Sequence, residues 1–129
     1  MGSRYSGESQ VLNIESYNVN SVTVLKLSGQ LDAGGTGVLM SAITKLAPSR
    51  RRFVADMSQL EHIDSGGLGA LVDCLKYLRE MNGNLKLSGI SDKHLILFDI
   101  TRAYRIFEFY KFVDDAVASF ELARQEEQP

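Results

Sequence analysis

Residues 62–71 read HIDSGGLGAL, and Ser65 at their centre stands between the carboxylate of Asp64 and two glycines, Gly66 and Gly67. That setting suits three chemistries: a nucleophile, an acceptor for a modifying group, or a residue that closes a turn or caps a helix. A nucleophilic serine requires a base histidine, an orienting carboxylate and an oxyanion hole. The chain holds two histidines, His62 and His94, and His62 lies three residues before Ser65 on a segment that passes from strand to helix. A histidine so placed is badly oriented to take the serine proton.

The tetrapeptide Asp64-Ser65-Gly66-Gly67 also surrounds the nucleophile of chymotrypsin-like proteases, but Ile63 precedes it where glycine would stand, and Leu68 follows where proline would. An order in which strands alternate with helices contradicts a double all-β barrel. The strand-to-helix elbow G-x-S-x-G fails at Ile63. Gly34-Gly35-Thr36-Gly37 and Gly66-Gly67-Leu68-Gly69 lack the Lys-Ser or Lys-Thr of a phosphate-binding loop, and neither fits the dinucleotide fingerprint behind a first strand. The two histidines are 32 positions apart and no paired ligand spacing accompanies them. Neither enzyme chemistry, a cofactor nor a metal is expected.

A helix start with bare backbone amides accepts anions well. Ser65 lies at or just before the first turn of the strongest helical pattern in the chain. A phosphoryl group there would add about −1.5 to −2 charges at pH 7, next to Asp64 and near Asp32. The alternative is that Ser65 or Asp64 serves only as the helix N-cap, and the spacing leaves the two readings open.

The elements that must position these residues follow from periodicity. Leu12 and Ile14, then Val22, Val24, Leu25 and Leu27, broken by Asn18-Val19-Asn20-Ser21, predict a β-hairpin over 11–28. After a turn at Gly29-Gln30-Leu31-Asp32 and the glycine-rich Ala33–Gly37, residues Val38, Leu39, Ala42, Ile43 and Leu46 predict a helix of about three turns, up to Pro48. Residues 52–57 read as a short buried strand with Asp56 at its end. Leu68, Leu71, Val72, Leu75 and Leu78 follow i, i+3, i+4, i+7 and predict a helix stopped by Asn82-Gly83. A strand over 85–88, a helix capped by Ser91 and carrying Leu95, Leu97, Phe98 and Ile100, a last strand over 106–109, and a helix opened by Asp114 or Asp115 complete the series. The expected fold class is α/β: a mixed, partly parallel sheet covered by about four helices, with the domain over 11–122, a polar, mobile N-terminal tail over 1–10 and a polar C-terminal tail over 123–129. The strand ends and helix starts are expected to gather Asp32 and Ser65 at one edge of the sheet.

Bulk properties agree with one such domain: 129 residues, 44% of them hydrophobic. Fourteen Lys and Arg stand against sixteen Asp and Glu, a net charge of −2, so no general attraction to nucleic acid or to an anionic membrane is implied. Arg50-Arg51-Arg52 reads as a solvated loop leading into a strand. The single cysteine, Cys74, falls in an apolar helical pattern and reads as core; it excludes an internal disulfide and fits a reducing cytoplasm. No apolar run approaches the ~20 residues that span a bilayer.

In its order of motifs the chain resembles the STAS domains of the bacterial anti-sigma-factor antagonist family. The resemblance runs over about residues 11–122 and is carried by Gly29-Gln30-Leu31-Asp32, by Val54-Ala55-Asp56-Met57-Ser58-Gln59-Leu60, and by Ile63-Asp64-Ser65-Gly66-Gly67-Leu68-Gly69. It implies a STAS fold and a binding protein that is phosphorylated on the serine after the aspartate, here Ser65, by an anti-sigma factor with serine kinase activity. A serine phosphatase would reverse the modification. Asp32, Asp64, Gly66, Gly67 and Leu68 would form the partner surface. Two departures stand out: Gly66 replaces a frequent Ser or Thr, and Arg102-Ala103 replaces a usual Gly-Leu after Thr101. The second reading is a STAS scaffold or adaptor, in a regulatory or transporter-associated complex, whose Ser65 is never phosphorylated.

Overall fold

Asn20 adopts a left-handed φ of 56° and closes a two-residue turn in which Val19 pairs with Val22. This joins β1 (Leu12–Val19) to β2 (Val22–Leu31), the expected hairpin, with β2 three residues longer than its alternation suggested. The computed structural model describes residues 11–47 and 49–126, so the expected tail over 1–10, Pro48 and the last three residues lie outside the described residues.

A 3-10 turn (Ala33–Gly35) then leads into α1 (Thr36–Leu46), β3 (Arg52–Ile63), α2 (Ser65–Arg79), β4 (Asn84–Ser88), α3 (Asp92–Ile100), a second 3-10 turn (Ala103–Arg105), β5 (Phe109–Tyr110) and α4 (Val113–Glu126). The five strands lie in the order β1-β2-β3-β4-β5; β1 is antiparallel to β2 and the rest are parallel. β2 is buried on both faces, as parallel strands between helices must be. Leu25 and Leu27, with Phe53, Ala55, Leu85 and Leu87, join a core built with α1, α2 and Phe98 of α3, whereas Val22, Val24 and Val54 face Ala116, Val117 and Phe120 of α4. Each fully buried Leu or Phe contributes about 1.5–3 kcal/mol.

Of the predicted stripe, α2 buries Leu68, Leu71, Leu75 and Leu78 and leaves Val72 half-buried, while Cys74 joins the core as expected. Its exit also matches: Asn82 is left-handed at φ 63°, and the Gly83 N–H donates to the Leu78 carbonyl at 2.7 Å. Ser91 caps α3 as expected, its hydroxyl accepting from the His94 N–H at 3.4 Å. The three consecutive arginines act as fasteners at the other end of the sheet: Arg50 donates to Thr23 and to the Asn20 carbonyl, Arg51 to the Met81 carbonyl and Arg52 to Ser21.

Four expectations are corrected. β3 does not end near Met57 but continues to Ile63, because two extra residues on β3 shift its register against β2, between Lys26 and Ser28 and between Gly29 and Gln30. These bulges space the buried residues Met57, Leu60 and Ile63 by three, which hides the strand from a period-two reading. Asp56 is therefore mid-strand, and its carboxylate accepts the Ser58 N–H at 3.0 Å, holding the first bulge. Gly29-Gln30-Leu31 is the end of β2 rather than a turn; Gly29 takes a φ of 89° there, and a side chain on it would collide with the Val11 carbonyl. The strand expected over 106–109 shrinks to Phe109–Tyr110, because Phe107 turns inward to pack edge-on against Phe98 and Phe109, with centroids 6.2 and 6.4 Å away. α4 starts at Val113, ahead of the expected openers Asp114 and Asp115, which lie in its first turn, and its backbone runs to Glu126.

Candidate functional site

The last pair in the β2–β3 register is Leu31 with Ile63, so the chain leaves the sheet at neighbouring points of one edge, at Asp32 and at Asp64. Both aspartates then do the same work. Asp32, extended at φ −131°, accepts the Gly34 N–H on its carboxylate at 2.9 Å and caps the first 3-10 turn. Asp64, extended at φ −124°, accepts the Gly67 N–H at 3.0 Å and caps α2. The expected gathering of Asp32 and Ser65 at one edge is present, but the register of β3's final residues brings it about, not the Phe53–Met57 segment.

Of the two candidate caps, Asp64 is the one that caps α2. Ser65 is the first residue of α2, exposed, and its hydroxyl takes no part in capping. The N–H groups of the first helical turn lack intrahelical acceptors, and Asp64 satisfies only one of them with its side chain. Gly67 is buried: a Cβ there would collide with the Leu31 carbonyl oxygen, so only glycine lets α2 start this close to β2. Gly66 is less constrained. A Cβ would lie 3.1 Å from the Ala33 nitrogen and 3.2 Å from the Ala33 Cβ, so a larger residue fits if the 3-10 turn gives by a few tenths of an ångström. Of the five residues assigned to a partner surface, Asp32, Asp64 and Gly66 are partly exposed, whereas Gly67 and Leu68 are buried. Gly67 acts by permitting a close approach, and Leu68 acts as a wall.

That wall belongs to a feature the sequence did not reveal. Ser65, Leu68, Val72 and Asp73 of α2 face Thr101, Arg102 and Ile106 across an open groove of about 450 Å³. The loop that forms the far side is held by Thr101, whose hydroxyl donates to the Leu97 carbonyl at 2.7 Å, and by Arg102, which is left-handed at φ 61°. α3 buries His94 and Phe98 but leaves Ile96 and Ile100 exposed, at 59% and 75% of their surface, with Ile106 beyond them at 39%. Sequence reasoning counted Ile100 among the apolar residues this helix carries; in the fold it is exposed, directly before the groove-lining Thr101. The signal was present in the low amphipathicity of DKHLILFDI, where apolar residues circle the helix instead of lining one side.

The titratable groups near Ser65 do not form a nucleophile's machinery. His62 places Nε2 4.0 Å from the Asp64 carboxylate, and Asp64 is already committed to the cap. His94 is buried, and neither ring nitrogen has a hydrogen-bond partner among the described residues. Burial lowers its pKa, the nearby Glu61 carbonyl pulls partly the other way, and Lys93 and His62 add to the lowering. Cys74 sits in the core, where burial pushes its thiol up to about 12, far from a reactive thiolate. No helix among the described residues is long and apolar enough to cross a membrane.

Known proteins share this fold. The sequence model of the STAS domain matches residues 13–116. An anti-sigma-B factor antagonist of Bacillus subtilis is 31% identical over 84 residues, covering 65% of this chain and 76% of its own length. The crystal structure of an anti-sigma factor antagonist from Mycobacterium paratuberculosis superposes with a TM-score of 0.75 at 22% identity, covering 84% of this chain and 92% of that one. The phosphorylated form of the Bacillus cell fate determinant SpoIIAA superposes with a TM-score of 0.67 at 15% identity, covering 84% and 99%. With the family model spanning most of the chain and a five-stranded mixed sheet that superposes on solved antagonists, the protein belongs to the STAS domain family and groups with the anti-sigma factor antagonists.

Proposed function

We propose that this chain is an anti-sigma factor antagonist governed by phosphorylation of Ser65. The observation that carries the reading is the division of labour at the start of α2: Asp64 caps the helix, so the Ser65 hydroxyl is exposed and free to be modified without loss of the cap. The names of its sequence relatives support the antagonist role, and a neighbour of the same fold has been solved in a phosphorylated form.

Unphosphorylated, the edge formed by Asp32, Asp64, Ser65 and Gly66, with the adjoining groove and the exposed Ile100 and Ile106, docks on an anti-sigma factor, which then releases its sigma factor. The anti-sigma factor is itself the serine kinase. The γ-phosphoryl group of its nucleoside triphosphate passes to the Ser65 oxygen; the O–H bond breaks and its proton leaves, while the nucleoside diphosphate departs. The new charge of about −1.5 to −2 stands beside two carboxylates, in the middle of the docking edge. A partner that accepted a neutral hydroxyl there must now desolvate a dianion, and docking is lost. A serine phosphatase restores it. This chain binds and is modified but catalyses nothing, and it acts in the cytoplasm with no direct contact to nucleic acid.

The test compares the affinity of genuinely phosphorylated and unphosphorylated wild type for the cognate anti-sigma protein, both shown to be folded by circular dichroism. The expected outcome is a loss of at least about tenfold on phosphorylation, equivalent to about 1.4 kcal/mol. Equal affinities would sink the switch and leave an unphosphorylated adaptor as the role of this fold.

A further inference from the structure

We propose that Arg102 is the built-in counter-ion for a phosphate on Ser65, and that its pairing closes the groove after phosphorylation. The inference rests on Ser65 as the acceptor and concerns what happens to the phosphate once it is there. Ser65 and Arg102 line the same groove, one on each wall. Apart from Asp73, which shares the wall with Ser65, Arg102 is the charged side chain of that lining, and among the described residues its guanidinium lies within ion-pairing distance of no carboxylate.

The backbone at this point makes the choice of arginine costly. Arg102 follows the end of α3 at φ 61°, a left-handed conformation in which glycine is free of penalty and a long side chain is not. No hydrogen bond from its guanidinium to another described residue offsets that strain in the unmodified protein, unlike Arg50, Arg51 and Arg52, which all fasten neighbouring turns. What the position does achieve is to put an arginine, a planar five-donor cation on a three-methylene arm, into the groove lining across from Ser65, and the guanidinium fork matches phosphate oxygens two at a time. The near neighbours of Ser65 at this edge are Asp64 before it, Asp32 beside it and His62, whose Nε2 lies 4.0 Å from the Asp64 carboxylate and is already turned to it. A dianion placed there is repelled along the chain and attracted across the groove.

The consequence is a second obstacle to docking. Charge on Ser65 repels the partner, and the arginine drawn onto it brings the loop after α3 across the groove that the partner would enter. Removal of the phosphate releases the loop.

The experiment uses the full chain with phosphoserine installed at position 65 during synthesis, and follows the second ionisation of the phosphate by 31P NMR titration. With Arg102 in place, that ionisation occurs at lower pH. In Arg102→Ala it moves upward by at least about half a pH unit, Arg102→Lys falls between the two, and Arg105→Ala, on the same loop but outside the groove lining, titrates like wild type. Superimposable titrations for wild type and Arg102→Ala overturn the pairing. An equal shift from Arg105→Ala does so as well, since it reduces the effect to general surface charge. Because the phosphoserine is built in, a kinase assay that leaves Ser65 unmodified strikes at the function proposed above, and the titration strikes only at the counter-ion.

Discussion

Gly67, in the first turn of α2, lies directly against the carbonyl oxygen of Leu31, the last residue of β2. This contact sets how near α2 comes to the sheet, and with it the distance between the Asp32 and Asp64 caps. Any side chain at position 67 must push α2 away from its own cap.

Gly67→Ala is therefore expected to destabilise the domain by about 3 kcal/mol or more, since the obstacle is backbone and cannot turn aside. Gly69→Ala, two residues along the same helix, meets nothing within 4 Å. It should stabilise by about 0.5–1 kcal/mol through helix propensity alone. Urea denaturation of both variants checks the pair, and similar effects of the two would contradict the close approach.

Asp64→Ala should cost about 1 kcal/mol, the usual loss of a side-chain cap. Ser65→Ala should stay within about 0.5 kcal/mol of wild type, because the exposed hydroxyl caps nothing. A larger loss for Ser65→Ala than for Asp64→Ala in the same denaturation series would reverse the assignment of the cap.

Ser65→Ala should also bind the anti-sigma partner constitutively and take up no phosphate. Ser65→Asp supplies one negative charge where a phosphate brings nearly two and three acceptor oxygens. Calorimetry should place its affinity between those of the unmodified and the phosphorylated protein, and an affinity for Ser65→Asp equal to that of unmodified wild type would count against charge as the cause.

His94 makes stability depend on pH. Burial, the largest influence on it, holds its folded pKa below the ordinary 6.5. Above that value the ring is neutral in both folded and unfolded chains. As pH falls through it, the unfolded chain takes up a proton that the folded protein resists, so stability declines on the acid side. His94→Leu removes this titration, and its unfolding free energy should fall less steeply than that of wild type between about pH 7 and pH 5. Parallel slopes would show that His94 titrates normally in the fold.

Much of this protein is legible in short stretches of its sequence. The stripe Leu68, Leu71, Leu75 and Leu78 specifies α2, Asn82-Gly83 ends it and Ser91 opens α3, because each of these depends on contacts within about one helical turn. The strings around Asp32 and Asp64-Ser65 also pointed to one site, and the fold brings them to one edge. What only the tertiary structure decided lies between distant segments. The last six residues of β3 form a strand because they pair with β2 some thirty positions earlier, through two bulges that erase the alternation by which a strand is read. Whether Asp64 or Ser65 caps α2 turned on where the chain leaves Ile63, and Ile63 is placed by Leu31. The groove that sets Arg102 opposite Ser65 exists only once α3 and its following loop have packed beside α2. Periodicity records which side of an element is apolar; it carries no information on which other element will come to lie against it, and that is decided by long-range pairing and packing.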